Sequence, residues 1–319
     1  MAARGPRQDL RRIDLATDSA GIPISLTKAV EADGGLWFAG DWYTPVDEIV
    51  AQARAAGVLG LRVDARDLSF LAELPDLRYL HVRTDGRPVL DPIGDLHGLR
   101  ALILEVGAIR GDLDPFAFPE LRWLRTGLGG KGAAKTRELL RRGHRELEWL
   151  AVSETRARTA TELVGAFPRL RWASIGFADI LRSLGPIHEL NPRLQGLRLN
   201  LTGIARLDGL DELPELEVLD VFGGPVADLG PVGGSRNLRY ARLLCPDAAS
   251  IEPLRGHPRL RMLELKLSGE PDTTVLDSMP ELVAVGRGAG FTVPLRQVDL
   301  FARPPEDALR REWHAAFRG

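Results

Sequence analysis

The residues Gly129 to Thr136, GGKGAAKT, come nearest to a chemical motif in this 319-residue chain. A phosphate-binding loop places Gly directly before its Lys, so that main-chain amides can wrap the phosphates. Here Ala134 stands before Lys135, and no acid closes a neighbouring apolar strand to hold Mg²⁺. The stretch reads as a small-residue turn, and nucleotide binding is not expected. The histidines, His81, His97, His144, His188, His257 and His314, are scattered without an HExxH pair, so no metal is expected. His97 and His257 fall in what read as equivalent loops. The single cysteine, Cys245, has no local Cys–His signature and reads as a small, partly buried residue. No GxSxG elbow is present. The expectation is a chain with no catalytic site and no cofactor.

A different set of residues stands out once the repeat that must position them is recognised. Apolar, two variable, apolar, one variable, apolar recurs eleven times, in segments beginning at Val58, Leu77, Leu99, Leu121, Leu147, Leu170, Leu194, Leu216, Leu238, Leu260 and Leu282. Most intervals are 22 residues, with longer ones after Leu121, Leu147 and Leu170. A short strand fits each segment, with its fourth and sixth positions inward and its third, fifth and seventh outward. Between strands, stretches such as LDPIGDLHGL and IEPLRGHPRL place apolar residues every three positions, which suits a tight 3₁₀ return.

LxxLxL followed by returns such as IEPLRGHPRL resembles the 22-residue leucine-rich repeats of bacterial proteins, the class typified by internalins. The resemblance runs from about Val58 to Val285. It implies an α/β fold, a right-handed solenoid with a parallel sheet on its concave face, and protein–protein binding. One departure is chemical. The class generally carries Asn three positions after the last strand leucine, where its amide stitches coils together, whereas this chain has Asp85, Gly107, Gly129, Thr155, Thr202, Gly224 and Ser268 there. Signal and wall-anchoring segments of that class are also missing.

Repeats leave open core at both ends, so caps are expected. Residues 1–57 read as an N-terminal cap with two strand-like runs, IPISLTKAV and GLWFAGDW, and a helix over about Pro45 to Ala56 capped by Thr44. Residues 58–290 hold about eleven coils. Residues 291–319 read as a capping helix with Leu309, Trp313 and Phe317 on one face. In the longer middle repeats AAKTRELLRRG, TATELVGAF and ADILRSLGPI read as true helices, which would bend the solenoid more strongly there.

The outward columns carry the candidate site. Tyr79, Trp123, Trp149, Trp172 and Tyr240 fill third positions and are expected to form an aromatic ladder, either open to a partner or packed on one another and on neighbouring Arg stems. His81, Arg83, Arg125, Arg198, Asn200, Asp220, Phe222 and Arg242 fill fifth and seventh positions. Aromatic and Arg side chains of this kind supply binding hot spots, so a protein or peptide partner is expected. The alternative is a glycan or single-stranded nucleic acid held by stacking. Balanced charge, 42 Lys and Arg against 44 Asp and Glu, gives no global field for nucleic acid. Second-position arginines such as Arg78, Arg100 and Arg261 read as a solvated edge. With one cysteine, no apolar leader and no stretch long enough to span a bilayer, a soluble cytoplasmic monomer is expected.

Overall fold

Each LxxLxL segment holds one strand that begins at its third position. The computed structural model describes residues 37–39, 45–84, 86–106, 114, 117–127, 134–153, 157–245, 247–268, 272–287 and 291–292. It divides into two compact units, Met1–Leu147 and Glu148–Gly319. In the first, β1 (Trp37–Ala39), β2 (Gly60–Asp64), β3 (Tyr79–Thr84), β4 (Ala101–Val106) and β5 (Trp123–Gly127) pair in parallel and in chain order. In the second, β6 (Trp149–Ser153), β7 (Trp172–Ala178), β8 (Gly196–Thr202), β9 (Val218–Phe222), β10 (Tyr240–Leu244), β11 (Met262–Lys266) and β12 (Ala284–Arg287) do the same. A short β13 (Phe291–Thr292) adds antiparallel to β12. This is a leucine-rich-repeat fold with an open, unclosed sheet.

Register is set by burial, since equivalent positions face each other from coil to coil. Leu80, Leu102 and Leu124 align at the fourth position of the first unit, and Leu197, Leu219 and Ala241 in the second. All are fully buried. Each buried aliphatic contributes about 1.5–3 kcal/mol, and only stacking of several coils offsets the ordering entropy.

Returns follow the three-residue rhythm in part. Asp91–Asp95 and Glu252–Leu254 are 3₁₀ turns, and Gly230–Gly234 is a single α turn. Of the three helices expected in the long repeats, Ala134–Arg142 forms. TATELVGAF yields only the 3₁₀ turn Ala160–Glu162, and ADILRSLGPI is helical only at its last residue, where the single α turn Ile187–Leu190 begins. The two segments spend their main-chain groups on each other. Ala160 N–H donates to Ser183 O at 3.0 Å, Arg182 N–H to Arg158 O at 2.8 Å, and Thr159 and Ser183 form a parallel bridge. Lateral pairing between coils has displaced helical pairing within them, which removes the basis for stronger bending at those two repeats.

The N-terminal helix spans Val46–Ala56 with Pro45 as its cap, one residue later than expected, and ends at Gly57 in the left-handed region (φ 59°). Ile49, Val50 and Ala53 are its buried face. Thr44, the first cap run, the C-terminal helix with Leu309, Trp313 and Phe317, and the positions Asp85, Gly107, Gly129 and Thr155 lie outside the described residues.

After the strand, Ser268 still stitches coils, its hydroxyl donating to Ala248 O at 3.0 Å, and further stitching lies on the return side. Three residues before each segment sits a buried column that includes Leu74, Leu96, Phe118, Phe167 and Leu213, but also His144, Asn191, Ser235 and His257. His144 Nε2 lies 3.1 Å from Phe118 O and His257 Nε2 lies 3.0 Å from Ser235 O, each reaching the preceding coil. Their Nδ1 atoms accept from Glu146 N–H and Leu260 N–H, which makes Nε2 the donor. Asn191 Oδ1 accepts from Phe167 N–H. His97, read as the equivalent of His257, is exposed and falls one position later.

Burial is the main cause that lowers the pKa of His144 and of His257 from the ordinary 6.5. Both are neutral when folded, so below about pH 6.5 the unfolded chain binds more protons and stability falls with pH. Their contribution is complete above the unfolded pKa and is lost as pH drops through the lower folded value. Between about pH 7.5 and 5.5 the unfolding midpoint is expected to fall, and the fall to shrink in His144→Asn/His257→Asn. An undiminished fall in that variant would assign the pH dependence elsewhere.

Candidate functional site

The odd-numbered strand positions face away from the core, and their side chains there are far more tightly packed than an exposed ladder requires. Tyr79, Trp149, Trp172 and Tyr240 are buried and Trp123 is half-buried. Of the two arrangements expected of the ladder, this is the packed one. Large residues lie over small ones on the next strand. Tyr79 and Trp123 flank the fully buried Ala101, and their ring centroids stand 6.1 Å apart at 35°. Trp172 leans over Gly196, where an added Cβ would lie 1.9 Å from the indole Cε3. The indole N–H groups of Trp149 and Trp172 are buried without an acceptor among the described residues. Trp149 and Trp172 face each other across β6 and β7. Arg239 lies over the Tyr240 ring at 5.6 Å from its centroid, which adds to the cover by cation–π attraction.

Fifth positions of β8 to β11 form a charge row of alternating sign. Arg198, Asp220, Arg242 and Glu264 are register partners in succession. Arg198 Nε donates to Asp220 Oδ2 at 2.7 Å, Arg242 Nη1 to the same oxygen at 3.3 Å, and Arg242 Nε to Glu264 Oε2 at 2.8 Å. Arg198 is 7% exposed and Asp220 2%, so this is a desolvated ion pair whose other charges ring it. Among the described residues, Asp220 Oδ1 and Asn200 Oδ1 are buried acceptors without a donor. In the first unit a smaller group repeats the idea. Glu105 accepts from Arg125 Nη1 at 2.9 Å and lies 3.4 Å from the buried His81 Nε2. Arg83 and Phe222 are exposed, and Asn200, Arg125 and Arg242 half-buried.

Two residues that position counting places in the core are turned out of it. Phe177 and Leu201 occupy the eighth position of their segments, in phase with buried Ile175 and Leu199, yet are 56% and 41% exposed. Their φ angles are 51° and 50°. A left-handed residue flips the alternation, so Ala178 and Thr202, the next in line and register partners, are the buried ones. Such a conformation costs on the order of 1–3 kcal/mol for a bulky side chain. Sequence reasoning missed both, because an apolar residue in phase with the core is the ordinary signal for burial.

Cys245, fully buried, has its thiol pushed up to about 12 by burial first and then by Asp220 and Asp247. It is inert as a nucleophile. Among the described residues no group of His, Cys, Asp and Glu is arranged to hold a metal. A groove of about 580 Å³ beside the N-terminal helix, lined in part by Arg54, Glu73, Asp76 and Arg78, is bridged by the 3.0 Å Arg54–Glu73 pair. No described helix is long and apolar enough to cross a membrane.

No protein-family model matches the chain, and no curated protein matches its sequence. Solved structures do match in fold. An internalin, InlF, of Listeria monocytogenes superposes with a TM-score of 0.54 at 16% identity, over 81% of this chain and 88% of that one. Internalin C2 of the same organism gives a TM-score of 0.44 at 20% identity, over 68% and 83%. A leucine-rich-repeat protein of Leptospira interrogans gives 0.47 at 14% identity, over 76% and 69%. At these identities the likeness speaks for the fold alone.

Proposed function

We propose that this chain is a non-enzymatic interaction module that takes a protein or peptide partner on the concave, odd-position face of its sheet. The observation that carries the reading is the Arg198, Asp220, Arg242, Glu264 row. Charged side chains are lined up across four strands on the face away from the core, and they hold one another in place. Preorganised groups cost a partner little ordering, which is where much binding energy is otherwise lost. Tyr79, Trp149, Trp172 and Tyr240 serve as supports under this reading, while Arg83, Trp123 and Arg125 in one unit and Asn200, Phe222 and Arg242 in the other make contact. Stacking of sugars or bases calls for open ring faces and unengaged cations, and here most rings are covered and the arginines are engaged with acids. The cytoplasm is the proposed compartment, on the ground of a single, buried cysteine.

A photo-crosslinking residue placed at Arg83 or Lys266, both exposed on that face, tests the reading. In cells of the producing organism these positions are expected to give discrete adducts, and the return-side positions Asp211 and Glu252 none. Equal labelling from both sides would overturn it.

A further inference from the structure

We propose that the C-terminal ends of β7, β8 and β9 form a seat for an extended, uncharged peptide segment bearing apolar side chains; this rests on the interaction-module reading and names where, and with what chemistry, the partner engages. Phe177, Leu201, Phe222 and Ile180 are four of the five large apolar side chains exposed among the described residues. The first three adjoin one another. Phe177 and Leu201 stand opposite each other between the register pairs Gly176–Asn200 and Ala178–Thr202. Leu201 reaches across to β9, where a Cβ on Gly223 would lie 2.7 Å from its Cδ2. Phe222, 44% exposed, is the next residue. Adjacent strands lie about 4.8 Å apart, so the three side chains span roughly 10 Å, the length of three extended residues.

Two of these side chains sit outward only because the backbone at Phe177 and Leu201 is left-handed. Core packing gains nothing from that conformation, since it removes apolar groups from the phase that would bury them. The surrounding charges state what the occupant is. Arg198 and Arg242 are neutralised by Asp220 and Glu264, and Arg182 spends donors on the carbonyls of Asp179 and Gly203. Among the described residues around the patch the arginines named are engaged with acids or carbonyls, and the exposed Asp179 disfavours an acidic segment. An extended peptide meets such a surface with apolar side chains at alternate positions.

Panning a phage-displayed dodecapeptide library on the full chain, followed by calorimetry, tests this. Selected peptides are expected to be uncharged and rich in apolar residues. Against Phe177→Gly/Leu201→Gly/Phe222→Ser their Kd is expected to rise about tenfold or more. Glycine accepts the left-handed backbone, so this variant keeps the fold, checked by an unchanged melt and a shielded Cys245 thiol. Asp211→Lys, at an exposed return-side position, is expected to change Kd by less than about twofold. Peptides that bind the triple variant as well as the parent would overturn the seat while leaving the module reading intact. The same holds for selected peptides that are charged and whose binding weakens steeply with added salt. A parent that is dimeric in solution while the triple variant is monomeric would assign the patch to a second copy. Failure to select any peptide overturns the seat, and joined with absent adducts at Arg83 and Lys266 it defeats the module reading as well.

Discussion

Replacing Asp220 with Ala is expected to lower stability by about 3–5 kcal/mol, among the largest effects a single substitution in this chain will have. Arg198 is the reason. The residue is only 7% exposed, and Asp220 Oδ2, 2.7 Å from its Nε, is an acid that compensates its charge there. Truncating the acid leaves a desolvated cation, whose penalty exceeds anything the pair contributes when intact. Arg242 is half-buried and keeps Glu264 at 2.8 Å, so it adapts. For about 170 residues of second unit, a loss of this size corresponds to a drop in unfolding midpoint on the order of 10 °C. The double variant Arg198→Met/Asp220→Leu separates this account from a general intolerance of the position. Apolar residues at both positions leave no charge behind, so much of the stability is expected to return. If the double variant is as unstable as Asp220→Ala, the loss is one of packing and not of pairing.

The second large effect is expected at Gly196. Its neighbours in the third-position column are Trp172 and Val218, and the indole of Trp172 occupies the space a side chain would need. A methyl group there would lie 1.9 Å from Cε3 and 2.1 Å from Cζ3, far inside contact distance. The indole is buried, so it yields only by giving up its own packing, and the cost of overpacking is about 2–3 kcal/mol, the upper part of the usual range. Gly196→Ala is therefore expected to melt earlier and to show red-shifted tryptophan emission as the ring is pushed toward water. A smaller side chain in place of the ring should relieve the clash. Trp172→Leu combined with Gly196→Ala is expected to be more stable than the sum of the two single changes, and strict additivity would show that the two sites do not compete for the same space.

Much of the fold was legible because one signal dominates it. Every LxxLxL segment from Val58 to Leu282 carries a strand that starts at its third position, since an apolar period that recurs every coil admits one register only. What alternation cannot tell is depth. It assigns Trp149, Trp172 and Tyr79 correctly to the face away from the core, and is silent on whether a small neighbour such as Gly196 or Ala101 lets a ring lie down and be covered. Nor can it foresee a change of phase. Phe177 and Leu201 look like core residues until the left-handed backbone turns them over, and nothing in their side chains announces that. The lost helices have a similar cause. TATELVGAF has helical composition, but Ser183 on the adjacent coil accepts the donor of Ala160, a contact between residues far apart in sequence. The charge row was visible as four outward residues of mixed type. Their opposite signs at 22-residue spacing were the available clue to pairing.

That alternation of sign has an arithmetical consequence. Removing the coil of β9 would set Arg198 beside Arg242, cation against cation, whereas removing β9 and β10 together would set Arg198 beside Glu264 and restore attraction. Repeat proteins commonly grow and shrink by whole coils, but across this stretch the row distinguishes odd from even. Duplication or loss in pairs keeps the face neutral and locked, and a single-coil change leaves two like charges facing each other in a poorly solvated strip. The row thus acts as a parity check on the length of the array, written in carboxylates and guanidinium groups.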